Sequence, residues 1–200
     1  RELRHVLAIE PAHRDATLLL AYMLRERGRL DAAAKAIVSA WHARSETPIE
    51  ACVADLIFLR ECGAHAQAFA LAQSALQRHP DNPRLAALAG EFALAKGAFD
   101  SARGYLRQAV ERNPGDGASW LRLAYCQRFD TADGVDARRI CEAWQDAVPD
   151  ADTRIPIGFA HGKVLDDIGD YAEATRVLRW ANARAAARSG WNHGDWRRFV

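Results

Sequence analysis

The chain has 200 residues, 50% of them hydrophobic, and its 27 Lys and Arg side chains nearly balance 26 Asp and Glu, for a formal charge of +1. Nucleic-acid-binding domains usually carry a strongly basic face, so this balance argues against a nucleic-acid partner. The sequence contains no run of about 18 apolar residues, so it predicts neither a membrane-spanning helix nor a membrane partner.

A pattern of small residues returns about every 34 residues. One block contains Leu56, Gly63, Ala68, Ala72, Ala75 and Pro80, and the next contains Gly90, Gly97, Ala102, Leu106, Ala109 and Pro114 at the same spacing. A unit of this length cannot bury its apolar face alone, so such repeats gain stability by stacking on their neighbours. The period therefore predicts a solenoid.

The predicted elements, in chain order, are a half repeat over 1–13 and five helix pairs over about 14–48, 49–82, 83–116, 117–151 and 155–188. The segment 191–200 is predicted to cap the last pair, with Trp191 and Trp196 packed near Val177 and Trp180, or to begin a linker to a further domain. Because the chain starts inside a repeat and lacks an initiator Met, we expect it to be a fragment.

Apolar residues within each unit recur at helical spacing, and strand-like alternation does not persist, which indicates an all-α fold. Glycines at 28, 63, 97 and 169 fall where a helix end needs a left-handed residue. Asp31, Asp100 and Asp170 follow three of these glycines and are predicted to cap or charge the next helix.

The order Trp, Leu, Gly or Ala, then Ala, a bulky residue, Ala and Pro resembles the tetratricopeptide repeat over roughly residues 3 to 188. The chain departs from the pattern where Asp55 replaces an apolar residue and where Trp120 is the only Trp at its repeat position. The resemblance implies a right-handed α-solenoid of stacked antiparallel helix pairs that binds a protein or peptide along its concave side. By alignment, the binding residues would be Tyr22, Arg25, Ile57, Arg60, Glu91, Tyr125, Arg128, Phe129 and Lys163.

A second resemblance concerns the segment from Gly158 to Ala174 with its continuation Ala181 to Arg184. It is similar to the last repeat of bacterial proteins that fuse a tetratricopeptide array to a sulfotransferase domain. It differs where Ala160-His161-Gly162 replaces a more aliphatic run and where Thr175 replaces an aromatic residue. This resemblance implies a catalytic domain beyond Val200, and with it a partner for the array within the same polypeptide.

The cysteines and histidines predict no redox or metal chemistry. Cys52 and Cys62 are ten residues apart on one predicted helix, about 15 Å along its axis, which is too far for a disulfide. Cys126 and Cys141 could be neighbours, but their alanine-rich surroundings favour inert buried thiols, which suits a reducing, cytoplasmic location. No His pair has metal-binding spacing, the His193 and Asp195 cluster is more typical of a surface turn, and no cofactor is expected.

Two hypotheses follow from these patterns. In the first, the chain is a non-catalytic interaction scaffold that binds a peptide or a partner domain. In the second, it is the amino-terminal regulatory or substrate-presenting part of a sulfotransferase that uses phosphoadenosine phosphosulfate, with every catalytic residue lying later. Acidic residues concentrate over 130–170 and arginines over 171–200, an asymmetry that could dock a neighbouring domain or simply keep two helix faces solvated.

Overall fold

The computed structural model describes residues 2–44, 47–147 and 151–190. These residues form eleven α-helices and contain no strand, which confirms the predicted all-α class. The helices are α1 (Glu2–Ile9), α2 (Arg14–Glu26), α3 (Leu30–Ala43), α4 (Ile49–Glu61), α5 (His65–Arg78), α6 (Pro83–Ala95), α7 (Phe99–Arg112), α8 (Gly117–Tyr125), α9 (Val135–Asp146), α10 (Ala151–Asp167) and α11 (Tyr171–Ser189).

The chain divides into two compact units, Arg1–Ser101 and Ala102–Val200. In the first unit, α2 packs on α3, α4 on α5, and α5 on α6. In the second unit, α10 packs extensively on both α8 and α11, and less extensively on α9. Counted along the sequence from α2, the even-numbered helices are the first helices of the predicted pairs and the odd-numbered ones are the second helices.

Helix ends form where the glycine pattern predicted them. Gly97 follows α6 with φ of 73°, and the amide of Ala98 donates to the carbonyl of Ala93 at 2.9 Å, a bond that closes the helix end. The same left-handed glycine ends α2, α4 and α10. At the helix starts, Asp170 accepts from the amide of Glu173, whereas Asp31 and Asp100 lie within first turns and contribute charge there.

The core consists of large apolar side chains packed around a recurring small residue. Leu56, Leu59 and Phe92 are fully buried in the first unit, as are Leu123 and Ile140 in the second. One alanine in the first turns of each second helix is also buried: Ala33, Ala68, Ala102, Ala137 and Ala174. Gly162 shows how closely helices approach, because a Cβ there would lie 2.5 Å from a methyl carbon of Leu178.

The structure bears on the predicted start of the fifth pair and on the predicted state of the cysteines. Helix α10 begins at Ala151, before the predicted start of the fifth pair at 155, and accommodates Pro156. All four cysteines are free, and Cys141 is half-buried while the other three are buried. The predicted packing of Trp191 and Trp196, like the His193 and Asp195 cluster, lies outside the described residues.

Candidate protein-binding surface

An aromatic patch in the first unit contains two of the predicted binding residues, Tyr22 and Arg25 on α2. The ring of Tyr22 meets that of Phe58 on α4 edge to face, with centroids 5.2 Å apart. The Arg25 guanidinium lies 5.0 Å from the Tyr22 centroid and 5.3 Å from that of Phe58, so it stacks on both. Tyr22 stays 45% exposed and leaves an aromatic surface open to solvent.

Ion pairs connect this patch to the neighbouring first helices. Arg25 forms a salt bridge with Glu61 on α4, and Arg60 lies 3.5 Å from Glu91 on α6. Ile57 is half-buried on the same helix as Arg60. Because each arginine has a carboxylate partner, the patch is aromatic with balanced charge, and such half-exposed pairs add little stability.

The corresponding surface of the second unit centres on Lys163 of α10. Its ammonium donates to the carbonyl of Gln127 at 2.9 Å and to the carboxylate of Asp167, and it lies 5.2 Å from the ring centroid of Phe129. The amide of Phe129 also donates to Asp167 at 3.1 Å. Partial burial opposes ionisation of Asp167, but the ammonium and the amide outweigh it and lower its pKa. Lys163 and Asp167 thus fasten the loop after α8 to α10.

The end of α8 and the loop that follows it present Tyr125 and Arg128 to solvent. Tyr125 is 59% exposed at the end of α8, and Arg128 is exposed three residues later. Phe129, by contrast, is only 5% exposed. The alignment predicts Phe129 as a binding residue, but its ring lies under the Lys163 ammonium and, being buried, offers a partner little area.

A buried carboxylate outside the predicted set also holds this loop. Asp136 on α9 is 3% exposed and accepts two bonds from Arg107, both at 2.8 Å, and one from the side chain of Gln127. Burial alone would raise the pKa of Asp136, but the Arg107 and Gln127 bonds lower it. In the sequence, Asp136 looks like an ordinary acidic residue in a first helical turn, since its partner Arg107 lies two helices earlier, in α7.

Asp55, the departure noted in the repeat pattern, occupies a second buried site. It is 0% exposed on α4 and lies 3.3 Å from a guanidinium nitrogen of Arg14 and 3.0 Å from one of Arg44. Burial raises the pKa of Asp55, while the two arginines oppose that rise. Asp55, Arg14 and Arg44 thus form a cluster of ion pairs at a repeat position where an apolar residue is usual.

The structure groups the predicted residues within each unit. In the first unit Tyr22 contacts Arg25, and Arg60 contacts Glu91. In the second unit Lys163 contacts Phe129, and the Gln127 carbonyl that Lys163 binds lies between Tyr125 and Arg128 in the loop. Over residues 2–44, 47–147 and 151–190, no cluster of three or more His, Cys, Asp or Glu side chains could hold a metal ion.

The successive helix pairs with a recurring buried alanine make this chain a helical-repeat protein, and its sequence matches one family of that class. One sequence profile of the tetratricopeptide repeat matches residues 59–124 and 93–155, and another matches residues 1–46. Together these matches cover most of the chain, which therefore belongs to the tetratricopeptide-repeat family. No curated protein sequence matches it significantly. In the part of the chain that the structure describes, no helix is both long and apolar enough to cross a membrane.

Solved structures with the same fold share little sequence with this chain. MamA 41-end from Desulfovibrio magneticus RS-1 aligns with a TM-score of 0.62 at 17% identity, over 87% of this chain and 96% of its own. YrrB, described as a tetratricopeptide-repeat protein with an unusual peptide-binding site, aligns at 0.59 and 15% identity, over 94% and 95%. A tetratricopeptide-repeat protein from Parabacteroides merdae aligns at 0.60 and 15%, over 87% and 67%. At these identities the likeness establishes the fold.

Proposed function

We propose that this chain is a non-catalytic scaffold that binds a peptide segment of another protein along its first helices. The observation that carries the proposal is the exposed Tyr125 at the end of α8 together with the exposed Arg128, which lies in the loop that Lys163 and Asp136 hold in place. A tyrosine offers a large, rigid contact area with a polar tip, and an arginine adds charge-assisted hydrogen bonds to peptide carbonyls or carboxylates.

Preorganisation of this loop favours binding. Its backbone is bonded through the Gln127 carbonyl and the Phe129 amide, and its Gln127 side chain is bonded to Asp136. A partner therefore does not have to order the loop, which removes part of the entropic cost of association. Peptide binding is also the role named for YrrB, which shares the fold, and the proposal extends that role to this chain.

A displayed library of random peptides, selected on the intact chain, tests this function. We expect Tyr125→Ala to weaken an enriched peptide about tenfold in fluorescence anisotropy, as the loss of an aromatic anchor does. Tyr171→Ala is the matched control, since Tyr171 is similarly exposed but lies at the start of the second helix α11.

Charge reversal provides an independent check. Arg128→Glu is expected to weaken the same peptide, whereas Arg138→Glu, exposed on the second helix α9, is expected to leave it unchanged. Equal losses from Tyr125→Ala and Tyr171→Ala, or peptides that bind only through second helices, would contradict the proposal.

The sulfotransferase-associated role is a second proposal, and it rests on the resemblance of the segment from Gly158 to Ala174. In that role the scaffold would present a substrate or regulate a catalytic domain that follows Val200. All residues that bind the sulfate donor would then lie in that domain. We therefore expect calorimetric titration of the 200-residue chain with phosphoadenosine phosphosulfate to show no saturable heat. Micromolar binding to this chain would place part of the donor site within the repeats.

A further inference from the structure

A cavity of about 610 Å³ lies within the second unit, among α7, α9 and the starts of α8 and α10. Its floor is apolar and fully or almost fully buried, formed by Val110, Trp120 and Ile157. The size falls within the range of about 300 to 1,000 Å³ typical of ligand sites. It is larger than a packing defect, which rarely exceeds a water molecule.

The shape of the cavity depends on one hydrogen-bonded side chain and two small residues. The indole N–H of Trp120 donates to the carbonyl of Pro114 at 2.9 Å, which locks the ring as one wall. Gly117 lets α8 approach α10, because a Cβ there would lie 2.4 Å from the carbonyl oxygen of Thr153. On the α9 side the lining includes the small side chain of Ala143, which leaves the space empty.

The rim of the cavity is acidic. Glu111 and Arg139 form a salt bridge of 2.6 Å across it, so their charges offset each other. Glu142 and Asp146 also line it, are exposed, and form no ion pair with any residue in the described ranges. The rim therefore carries excess negative charge above an apolar floor, which attracts cations and repels phosphate groups.

We propose that this cavity is a second peptide-binding site, which takes a bulky apolar side chain from a segment rich in Lys and Arg. Charge complementarity selects this occupant: the floor accepts an aliphatic or aromatic anchor, while Glu142 and Asp146 pair with flanking cations. The site differs from the Tyr125 surface, because it is built from second helices and from the starts of first helices. It adds a binding specificity to the scaffold that does not depend on the first site.

Two labelled probe peptides test the proposal with the intact chain. Both carry a central pair of leucines, flanked by lysines in one and by glutamates in the other. We expect the lysine peptide to bind at least about tenfold more tightly in fluorescence anisotropy, and its affinity to fall as salt rises. Equal binding of the two peptides, or no saturation by the lysine peptide, overturns the proposal.

Matched variants locate the binding. The double variant Glu142→Lys and Asp146→Lys is expected to weaken the lysine peptide about tenfold or more, whereas Asp133→Lys, a single charge reversal of the same kind in an exposed loop, leaves it unchanged. Ala143→Trp is expected to abolish binding by filling the cavity, provided that its circular dichroism matches the parent. Tyr125→Ala is expected to have no effect. Loss of binding with Tyr125→Ala but not with the charge reversals would place the peptide on the other surface and overturn the proposal.

Discussion

At the scale of single residues, Asp136 positions the candidate surface without belonging to it. Its carboxylate is buried and bonded to both Arg107 and Gln127. Gln127 in turn gives its backbone carbonyl to Lys163. One side chain on α9 therefore helps to orient the loop that follows Tyr125 and contains Arg128, so its loss should reduce both stability and binding.

We expect Asp136→Asn to lower the free energy of unfolding by about 1.5 to 3 kcal/mol at neutral pH, the usual value of hydrogen bonds to a charged group. The pKa of Asp136 is lower in the folded state, so its stabilisation is complete above the unfolded value of about 3.9. It is lost as the pH falls through the folded value. Urea unfolding of both proteins should show a difference that is constant at neutral pH and shrinks below about pH 4.

Asp133→Asn serves as the control for this substitution. Asp133 is exposed in the loop before α9, and its change should alter stability by no more than about 0.5 kcal/mol. A difference for Asp136→Asn that persists undiminished in acid would show that the ionised carboxylate does not carry the stabilisation.

The sequence could predict some of these residues and not others. Alignment of the repeats was enough to place Tyr22, Tyr125 and Lys163 on first helices, because the repeat length fixes which helix a residue joins. It could not predict that Phe129 is buried, since the ring is covered by Lys163, 34 residues further along the chain. Contacts of this kind depend on side-chain packing between helices.

At the scale of elements, the helix ends follow one local rule. Five of the described helices, α2, α4, α6, α10 and α11, end in a glycine with positive φ, a conformation that costs other residues free energy. Within a helix, by contrast, glycine is less stable than alanine. Gly104, in the middle of α7, is exposed, and a Cβ there would meet nothing within 4 Å.

Replacing Gly97 or Gly104 by alanine should change the stability of the chain in opposite directions. Gly97→Ala is expected to destabilise the chain by about 1 to 2 kcal/mol, because alanine must adopt a left-handed conformation. Gly104→Ala is expected to stabilise it by about 0.5 to 1 kcal/mol through helix propensity. Thermal melts of the two variants check this, and a shift of the same sign in both would contradict the assigned helix ends.

Element boundaries were predictable where glycine marked them and not elsewhere. The ends of α2, α4 and α6 follow from Gly28, Gly63 and Gly97. No such residue marks the start of α10 at Ala151, which lies before the start at 155 that the sequence predicted. Pro156 is the sixth residue of this helix, past the first turn, so it removes one backbone hydrogen bond to the preceding turn.

At the scale of the whole molecule, one small residue recurs at equivalent positions in all five second helices. The alanines at 33, 68, 102, 137 and 174 are at most 3% exposed, although they belong to two different units. Neighbouring alanines on the same helices, such as Ala66 and Ala172, are exposed. In each repeat, therefore, packing limits the side-chain volume at this alanine, whereas larger side chains can be accommodated at the exposed neighbouring positions.

Enlarging this alanine should have similar consequences in both units. Ala68→Leu in the first and Ala174→Leu in the second are each expected to cost about 1 to 3 kcal/mol by overpacking. Ala66→Leu and Ala172→Leu should stay within about 0.5 kcal/mol of the parent. Chemical denaturation measures all four, and comparable losses at buried and exposed positions would refute the repeat register.

The fold as a whole was predictable because periodic spacing, helix-ending glycines and small buried residues all indicate the same architecture. The cavity was not, since it arises from residues of four helices and the empty space beside Ala143. No pattern within one repeat contains that information.

The reactivity of the cysteine thiols can be used to measure how often each unit opens. Cys52 and Cys62 belong to the first unit and Cys126 and Cys141 to the second. Burial raises the pKa of all four thiols, that of Cys126 to about 11, so the reactive thiolate is scarce in the closed protein. Alkylation rates, assigned to each cysteine by mass spectrometry, would therefore measure how often each half of the chain exposes its interior. Cys52 and Cys126 are the pair to compare, because both are buried whereas Cys141 is half-buried. If their rates still differ after correction for the different pKa values of the two thiols, the two halves open as separate cooperative units.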